Sequence, residues 1–527
     1  MGWGKTEPRT VPELLDRAAT NAPDRVALIA ASQGSTESLR HTTYAEMADA
    51  ARRLAGGLRE LGARQGDRIG VLLDNACATE THMSYHAVHR LGAINVPLNT
   101  RYVPRELASA LGLARVRFLV YDGRFSEKVE QALELLEHDV RLVRVGGPTG
   151  RSPDVGWEDV LASEPLHTEV ALSGRADADW IFTSGTTGDP KAACFTHEAC
   201  VACGLGVAHA WSFRPDDVYQ SSSPFFTSTG SHTNLLGTLA AGCTYLIDPD
   251  TSLEGFLGRA EAYGSTVCFL VTSLVKLLVD EHREELMKLR KMRRIVYGGM
   301  AMPADVHRRI HSALADDLGI ELMHLMGLTE GGPTGLCLDP KDHGAKPGSV
   351  GNKGFSESTR FCITDEEGEP VQAGEVGELC FNSPSAMRGY LSSGAEQSPF
   401  RDGWLHTGDL VRQDEEGYVY FSDRSKDIVR RGGLNISSAE VENVLKLVPG
   451  VADAAVIARQ HPVLGEEVCA YVESDTELSV DDLTEHCKAH LANYKVPRVI
   501  RLIHSLPRNS MGRVLKAVLR EREAAVS

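Results

Sequence analysis

From residue 43 onward the chain alternates helical and strand-like periods, and this alternation limits its fold more than any other feature. Thr43 to Leu61 places Ala, Met and Leu at three- and four-residue spacing, and Gly62 ends the run. Arg68-Ile-Gly-Val-Leu-Leu73 follows as a short apolar strand, and a second helical period from His82 to Leu91 leads into Ala93-Ile-Asn-Val-Pro97. A strand–helix–strand rhythm predicts a parallel sheet covered by helices, because parallel neighbours need a crossover of helix length between them. Apolar runs of strand length return at Val116–Tyr121, Thr244–Ile247, Val267–Val271 and Ile295–Tyr297. No fixed repeat period appears, which excludes a solenoid.

The character changes from Phe361. Turn signals at Glu367-Gly368, Ala373-Gly374 and Val376-Gly377 separate short stretches such as Gly377-Glu-Leu-Cys-Phe381 and Gly417-Tyr-Val-Tyr-Phe421, which read as hairpins or a small barrel. After Asp423-Arg424 comes a helix with Ser438 near its start and Glu440 and Glu442 in its first turns. A strand over 454–458, a helix over 480–491 and a strand over 499–503 follow. The expected organisation is one domain over 1–423 and a second over 424–527.

Charge and composition remove several function classes. Lys plus Arg number 55 against 72 Asp plus Glu, a net charge of −17, which argues against non-specific nucleic-acid binding or adhesion to an anionic membrane. A small anionic ligand in a locally positive cleft stays compatible. No run approaches the ~20 apolar residues of a membrane helix. Met1 to Thr10 is polar, with Lys5, Glu7 and Arg9 and no apolar stretch behind it, so no secretory signal is expected. Eleven scattered cysteines suit free thiols in a reducing, cytoplasmic compartment. Cys200 and Cys203 have C-x-x-C spacing near Cys194 and His197, but no second ligand pair follows. The Ala-rich helical stretch from His197 to Trp211 reads instead as packing both thiols on one face.

The string richest in chemistry is Ile181-Phe-Thr-Ser-Gly-Thr-Thr-Gly-Asp-Pro-Lys191. Glycines let backbone N–H groups approach phosphate oxygens, hydroxyls add donors, and the terminal Lys supplies a positive charge. It is not a Walker A loop, which requires G-x-x-x-x-G-K-[ST].

This string resembles the phosphate loop of the adenylate-forming superfamily: acyl- and aryl-CoA synthetases (the AMP-dependent synthetase and ligase family), peptide-synthetase adenylation domains and firefly-type luciferases. Other pieces of the pattern follow in order. Tyr297-Gly-Gly-Met300 resembles the adenine-flanking strand end, and Met326-Gly-Leu-Thr-Glu330 the aromatic-Gly-x-Thr-Glu motif. Trp404-Leu-His-Thr-Gly-Asp409 and Asp423-Arg-Ser-Lys-Asp427 resemble the ribose and hinge motifs. Arg431-Gly-Gly-Leu-Asn-Ile436 and Pro507-Arg-Asn-Ser-Met-Gly-Arg513 complete a similarity spanning essentially the whole chain.

The resemblance implies a fold: an α/β N-terminal domain of doubly wound sheets with helices and a small β-barrel-like subdomain, and a small mobile α+β C-terminal domain. It also implies roles. Thr183, Ser184, Gly185, Thr186, Thr187, Gly188 and Lys191 would hold the β- and γ-phosphates of ATP. Gly298, Gly299, Met300, Met326, Gly327 and Leu328 would flank the nucleotide, Thr329 would bond the α-phosphate, and Glu330 would bind Mg²⁺. Asp409 would accept from both ribose hydroxyls with Arg424 assisting. Lys426 sits where the family has its hinge. Rotation there would bring Arg430 to Gly433 to the pantetheine channel, where Gly432 and Gly433 give a narrow backbone edge for the thiol arm of coenzyme A.

Three positions depart from the family pattern. Met326 stands where an aromatic residue usually stacks on adenine, and Met can cover the ring by dispersion. In Ser223-Pro-Phe-Phe-Thr-Ser-Thr-Gly230, Thr227 follows Phe226 where His is common. By the resemblance this residue would gate the carboxylate site, and His232 could substitute for it or lie on a helix surface. The C-terminal loop ends in Gly512-Arg513 in place of Gly-Lys, and a planar, always-charged fork does not copy a compact ammonium. Lys516, one helical turn on, is expected to face the other domain or solvent.

The leading expectation is an ATP-dependent carboxylic acid:CoA ligase, an acid–thiol ligase that releases pyrophosphate, forms an acyl-adenylate and then a thioester. Catalysis would rest on Lys191, Thr329, Glu330 and Arg513. Its cofactors would be ATP, Mg²⁺ and coenzyme A, its partner a small-molecule acid, with no nucleic acid, no membrane span and a homodimer left open. One alternative is adenylation with a different acceptor or acid, such as carrier-protein acylation or activation of nitrite for diazotization. A further alternative is a nucleotide-binding protein deficient in adenylation through the Arg513 change.

Overall fold

The computed structural model describes residues 7–147, 154–167, 170–183, 191–250, 252–299, 302–332, 335–392, 398–424, 427–431, 434–461, 465–491, 493–509 and 512–525. The chain divides into two compact units, residues 1–360 with 381–405, and residues 361–380 with 406–527. The division follows no single cut in the sequence: strands Val376–Asn382 and Trp404–Gln413 each run from one unit into the other.

The first unit is a mixed α/β body built on two large sheets. In one, Glu321–Gly327, Arg294–Gly298, Val267–Val271, Val218–Ser221, Thr244–Ile247 and Val26–Ser32 lie side by side, all parallel, with antiparallel strands at both edges. In the other, Ile94–Pro97, Arg68–Leu72, Phe118–Asp122 and Arg141–Val145 run parallel, with Arg68 opposite Ile94 and Ile69 opposite Phe118. The crossover between Arg68–Leu72 and Ile94–Pro97 is the helix Ala78–Arg90, as the strand–helix–strand rhythm predicts. Helix Tyr44–Glu60 begins at a capping box, with Thr43 accepting from Glu46 N while the Glu46 side chain reaches back to the cap. Its buried stripe of Tyr44, Met47, Ala51, Leu54 and Leu58 joins the main apolar core.

The second unit holds Leu434–Ile436, Val429–Arg431, Gly465–Glu473 and Asp453–His461 in one sheet, with Val499–Ile503 pairing parallel to Gly465–Glu473. Helices Ser438–Leu445, Val480–His490 and Lys516–Ala524 accompany it. The hairpin Trp404–Gln413/Val419–Arg424 belongs to a further five-stranded sheet. Among the described residues no helix is long and apolar enough to cross a membrane.

Candidate active site

Strands Asp177–Thr183 and Lys191–Thr196 pair antiparallel, with Thr183 opposite Lys191. The residues between them, including Ser184, Gly185, Thr186, Thr187 and Gly188, lie outside the described residues, as do Met300, Lys426, Gly432, Gly433 and the side chains of Arg424 and Arg430. At the mouth of that loop the Thr183 hydroxyl is buried and has no hydrogen-bond partner among the described residues. A buried hydroxyl left unpaired costs about 1–3 kcal/mol, so a ligand oxygen is a fitting partner for it.

On the other arm, Lys191 Nζ lies 4.2 Å from the ring centroid of Tyr390, within cation–π range. Tyr390 gets there because Gly389–Ser392 adds to the free edge of Lys191–Thr196, with Tyr390 opposite Ala193 and Ser392 opposite Lys191. The Tyr390 hydroxyl then donates to Glu330 Oε1 at 2.5 Å, a charge-assisted bond. Lysine, tyrosine and glutamate from three distant stretches of chain thus form one continuous line of contacts.

Thr329 and Glu330 stand in a single helical turn, Thr329–Gly331, just past the end of strand Glu321–Gly327. The segment before Tyr390 clamps this turn: Met387 N donates to the Glu330 carbonyl at 2.9 Å, and Ser385 Oγ to the Gly331 carbonyl at 2.8 Å. Gly332 closes it at φ +76°, where a Cβ would stand 2.0 Å from the Ser385 carbonyl oxygen, so glycine is required twice over. The Thr329 hydroxyl meets that of Ser228 at 2.9 Å.

The expected adenine edge is also assembled. Gly298 ends strand Arg294–Gly298 opposite Leu325, and a Cβ on it would lie 2.6 Å from the Leu325 carbonyl oxygen. Beneath, the buried rings of Tyr297 and His324 stack at 4.6 Å and 7°. Met326 and Leu328 are half-buried and Gly327 exposed, and Gly299 takes φ +90°.

The stretch expected to gate the acid is occupied differently from its sequence reading. The Thr227 hydroxyl donates to the Pro224 carbonyl at 2.7 Å and accepts from Gly230 N at 3.1 Å. It closes the turn that enters a π-type helical stretch, Thr229–Leu236, beside the buried Phe226. His232 is fully buried and not on a helix surface; its Nε2 lies 3.1 Å from Asp179 Oδ2. Asp179 also accepts from Asn95 Nδ2 at 2.6 Å, the Tyr85 hydroxyl at 3.2 Å and the Cys200 thiol at 3.3 Å, with His89 Nε2 at 3.6 Å. Burial opposes the Asp179 charge, but the facing imidazoles of His89 and His232 overcome it and hold the carboxyl well below the usual carboxylate range. Cys200 and Cys203 are both buried, as their sequence reading holds, and Cys200 is in addition a donor to this carboxylate.

In the second unit Asp409 is 6% exposed and lies opposite Arg424 in the hairpin. Its N–H donates to Thr407 Oγ1 at 3.0 Å, and the Thr407 hydroxyl donates to the Leu379 carbonyl at 2.7 Å. Asp427 accepts from Arg520 at 2.5 Å. Arg513 is exposed on a loop turned by Gly512 at φ +77°; its N–H donates to Asn509 Oδ1 at 2.9 Å. The expectation that Lys516 faces solvent or another domain is corrected. Its Nζ lies 2.6 Å from Glu442 Oε1 and 2.7 Å from Ser438 Oγ, because helix Lys516–Ala524 begins there against helix Ser438–Leu445 of the same unit.

The AMP-binding enzyme family matches residues 15–391, and the AMP-binding enzyme C-terminal domain matches residues 440–513. The chain belongs to the AMP-binding enzyme family. Similar AMP-binding enzymes extend along nearly all of it. A 3-[(3aS,4S,7aS)-7a-methyl-1,5-dioxo-octahydro-1H-inden-4-yl]propanoyl:CoA ligase of Mycobacterium tuberculosis is 31% identical over 97% of this chain and 99% of that protein. A feruloyl-CoA synthase of Amycolatopsis is 32% identical over 91% of this chain and 94% of its own. Among solved structures, o-succinylbenzoate CoA synthetase of Bacillus subtilis with its acyl-adenylate matches with a TM-score of 0.83 and 27% identity over 97% of this chain and 98% of that one. The same synthetase solved with ATP and magnesium matches at 0.82. Ser228 and Tyr390, which join the motifs of this AMP-binding enzyme, are not legible as site residues from sequence. Tyr390 stands inside no motif, Ser228 is an unmarked position of the Ser223–Gly230 stretch, and only strand pairing and turn geometry bring them in.

Proposed function

We infer that this AMP-binding enzyme is an ATP-dependent acid:CoA ligase working through an acyl-adenylate. The observation that carries the reading is the line Lys191–Tyr390–Glu330 beside the Ser228–Thr329 hydroxyl pair. It sets a cation, a carboxylate and two hydroxyl donors around one place, at the end of a strand pair whose last buried hydroxyl, Thr183, awaits a partner.

In the first half-reaction a carboxylate oxygen attacks the α-phosphorus, the bond to the β-phosphate oxygen breaks, and pyrophosphate leaves. In the second the CoA thiol gives up its proton, its sulfur attacks the acyl carbon, and AMP leaves. Little covalent work falls to the protein, so catalysis rests on positioning and charge. Lys191 and Thr183 hold the departing phosphates, and Thr329, oriented by Ser228, bonds the α-phosphate. Glu330 fits Mg²⁺ by its chemistry, since hard carboxylate oxygen suits that ion, and the bound ion would offset charge on the phosphates. Tyr390 orients Glu330. Asp409 takes the ribose hydroxyls with Arg424. Arg513 serves as the cation of the adenylation step, a reading supported by Lys516 being paired with Glu442.

The catalytic cycle alternates between a domain over 1–423 and one over 424–527, turning near Lys426. Support comes from the anchors on each side: Arg424 is paired in register with Asp409, and Asp427 is bound by Arg520. The enzyme works in the cytoplasm, where its eleven free thiols stay reduced.

The test is ATP–pyrophosphate exchange across a panel of carboxylic acids with nitrite included, followed by addition of CoA. Exchange that depends on a carboxylic acid, and a CoA thioester formed with AMP, are the expected results. Exchange with nitrite alone, or acid-dependent exchange with no thioester, overturns the ligase reading.

A further inference from the structure

Apart from the adenylation residues, one cluster of side chains in the second unit has the donor set of a transition-metal centre. Strands Arg360–Thr364, Val376–Asn382 and Trp404–Gln413 are neighbours in that order in one sheet, and they bring Cys362, then Glu378 and Cys380, then His406 side by side. Glu378 and Cys380 are two residues apart on one strand and therefore share a face. His406 Nδ1 lies 2.8 Å from Glu378 Oε2 and 3.4 Å from Cys380 Sγ. The donor atoms of these three residues all fall within 4.8 Å of one another. Cys362, on the neighbouring strand, lies beside Cys380 and offers a second sulfur.

We propose that Cys362, Glu378, Cys380 and His406 form a four-ligand zinc site. With zinc bonds of about 2.0–2.3 Å, a tetrahedron sets its ligand atoms roughly 3.3–3.8 Å apart, close to the spacing that Glu378, Cys380 and His406 already have. Two thiolates and an imidazole select a borderline-soft cation over Mg²⁺, so this centre is chemically distinct from Glu330. The carboxylate is already oriented as a ligand, because Glu378 Oε1 accepts from Gly408 N at 2.8 Å, which leaves Oε2 on the His406 side. On binding, both thiol protons leave to solvent and the cation takes their place. Cys362, Glu378 and His406 are partly exposed and give the ion a way in, while Cys380 forms the floor. Two other clusters of similar composition do not offer the same opening. Asp179, Cys200 and His232 are all fully buried, with both Asp179 oxygens bonded, and Asp74 and Asp122 near Cys77 are both taken by Arg124. A zinc ion here would tie three strands together just ahead of Asp409 on Trp404–Gln413.

The full-length protein, stripped of metal and free of nucleotide, is titrated with Co²⁺ and then with Zn²⁺ under reducing conditions. One equivalent of Co²⁺ should give the intense visible absorption of tetrahedral cobalt–thiolate, and one equivalent of Zn²⁺ should abolish it while excess Mg²⁺ does not. Cys362→Ser and Cys380→Ser should each weaken Zn²⁺ binding by at least about 100-fold, since loss of an outer partner alone costs 10–100-fold. Cys362 is half-exposed, so its variant keeps the test usable if Cys380→Ser fails to fold. A wild-type protein with no cobalt–thiolate absorption, or an absorption unchanged in Cys362→Ser, overturns the site.

Discussion

Asp179 and Glu330 stand in the same unit and are held in opposite ways. Asp179 is fully enclosed and takes bonds from Asn95, Tyr85, Cys200 and His232, with His89 alongside. Glu330 is half-exposed, and among the described residues its side chain takes one bond, from Tyr390. A carboxylate whose every lone pair is spent within the protein has become architecture. One that takes a single donor among the described residues keeps capacity for chemistry. The contrast separates two acidic residues that composition alone treats alike.

The largest effect that can break this contrast is expected at Asp179. Asp179→Ala leaves two histidines, an asparagine, a tyrosine and a thiol facing an empty place, and should lower stability by about 3–5 kcal/mol. Urea denaturation measures it, and a loss under about 1 kcal/mol would show that the knot is not structural. Arg513 comes next, exposed on its loop. Arg513→Ala should slow adenylation by roughly 10²–10³-fold, the usual loss for one transition-state donor, with thioester formation from supplied acyl-AMP almost unchanged. Equal losses in both half-reactions would remove it from the adenylation step.

Histidine burial extends the comparison to pH. Burial pushes the imidazoles of His82, His197 and His307 down to about 4, 3 and 3. Each stays neutral when folded and takes up a proton near pH ~6.5 only when unfolded, so the unfolded chain binds more protons as pH falls. Stability should therefore be complete above about pH 6.5 and decline below it, by up to about 1.4 kcal/mol per pH unit for each histidine. Asp248, pushed up to about 6 by burial, and Glu80 and Glu442, raised by burial too, work in the opposite direction, while burial lowers His86 and His343 along with the three histidines above. Urea midpoints compared on the two sides of that pH check the sign. The smallest effect belongs to Tyr390→Phe, which removes one donor from a half-exposed carboxylate. Adenylation at limiting Mg²⁺ should fall by roughly fivefold, about 1 kcal/mol, and recover at saturating Mg²⁺; an unchanged Mg²⁺ titration would make Tyr390 a bystander.

Much of the first unit is legible in the sequence because parallel strands are buried on both faces and so read as unbroken apolar runs. Val267–Val271 and Thr244–Ile247 are examples, found where the runs stand. Strand Gly465–Glu473 escapes such a reading, since it opens on Gly-Glu-Glu and hides its apolar face behind charge. Helix Lys516–Ala524 escapes it too, because its Arg and Glu residues leave little more than Leu519 fully buried. Without that helix, Lys516 reads as pointing outward. At the site, motifs mark Thr183, Lys191, Thr329, Glu330 and Asp409, whereas Tyr390 and Ser228 depend on contacts between stretches of chain far apart in sequence. His232 carries no sign of its partner Asp179, since nothing local in either stretch announces the other.

Whether Glu330 is kept for a metal and not for the fold is read most directly from the Mg²⁺ dependence of single-turnover acyl-adenylate formation in Glu330→Gln, beside its thermal unfolding. The variant keeps the shape and an oxygen for Tyr390 but loses the ligand charge. Its Mg²⁺ requirement should rise with unfolding unchanged. A normal Mg²⁺ titration, or a destabilised protein whose surviving fraction titrates normally, would contradict it and place Glu330 with Asp179 among the residues that hold the molecule together.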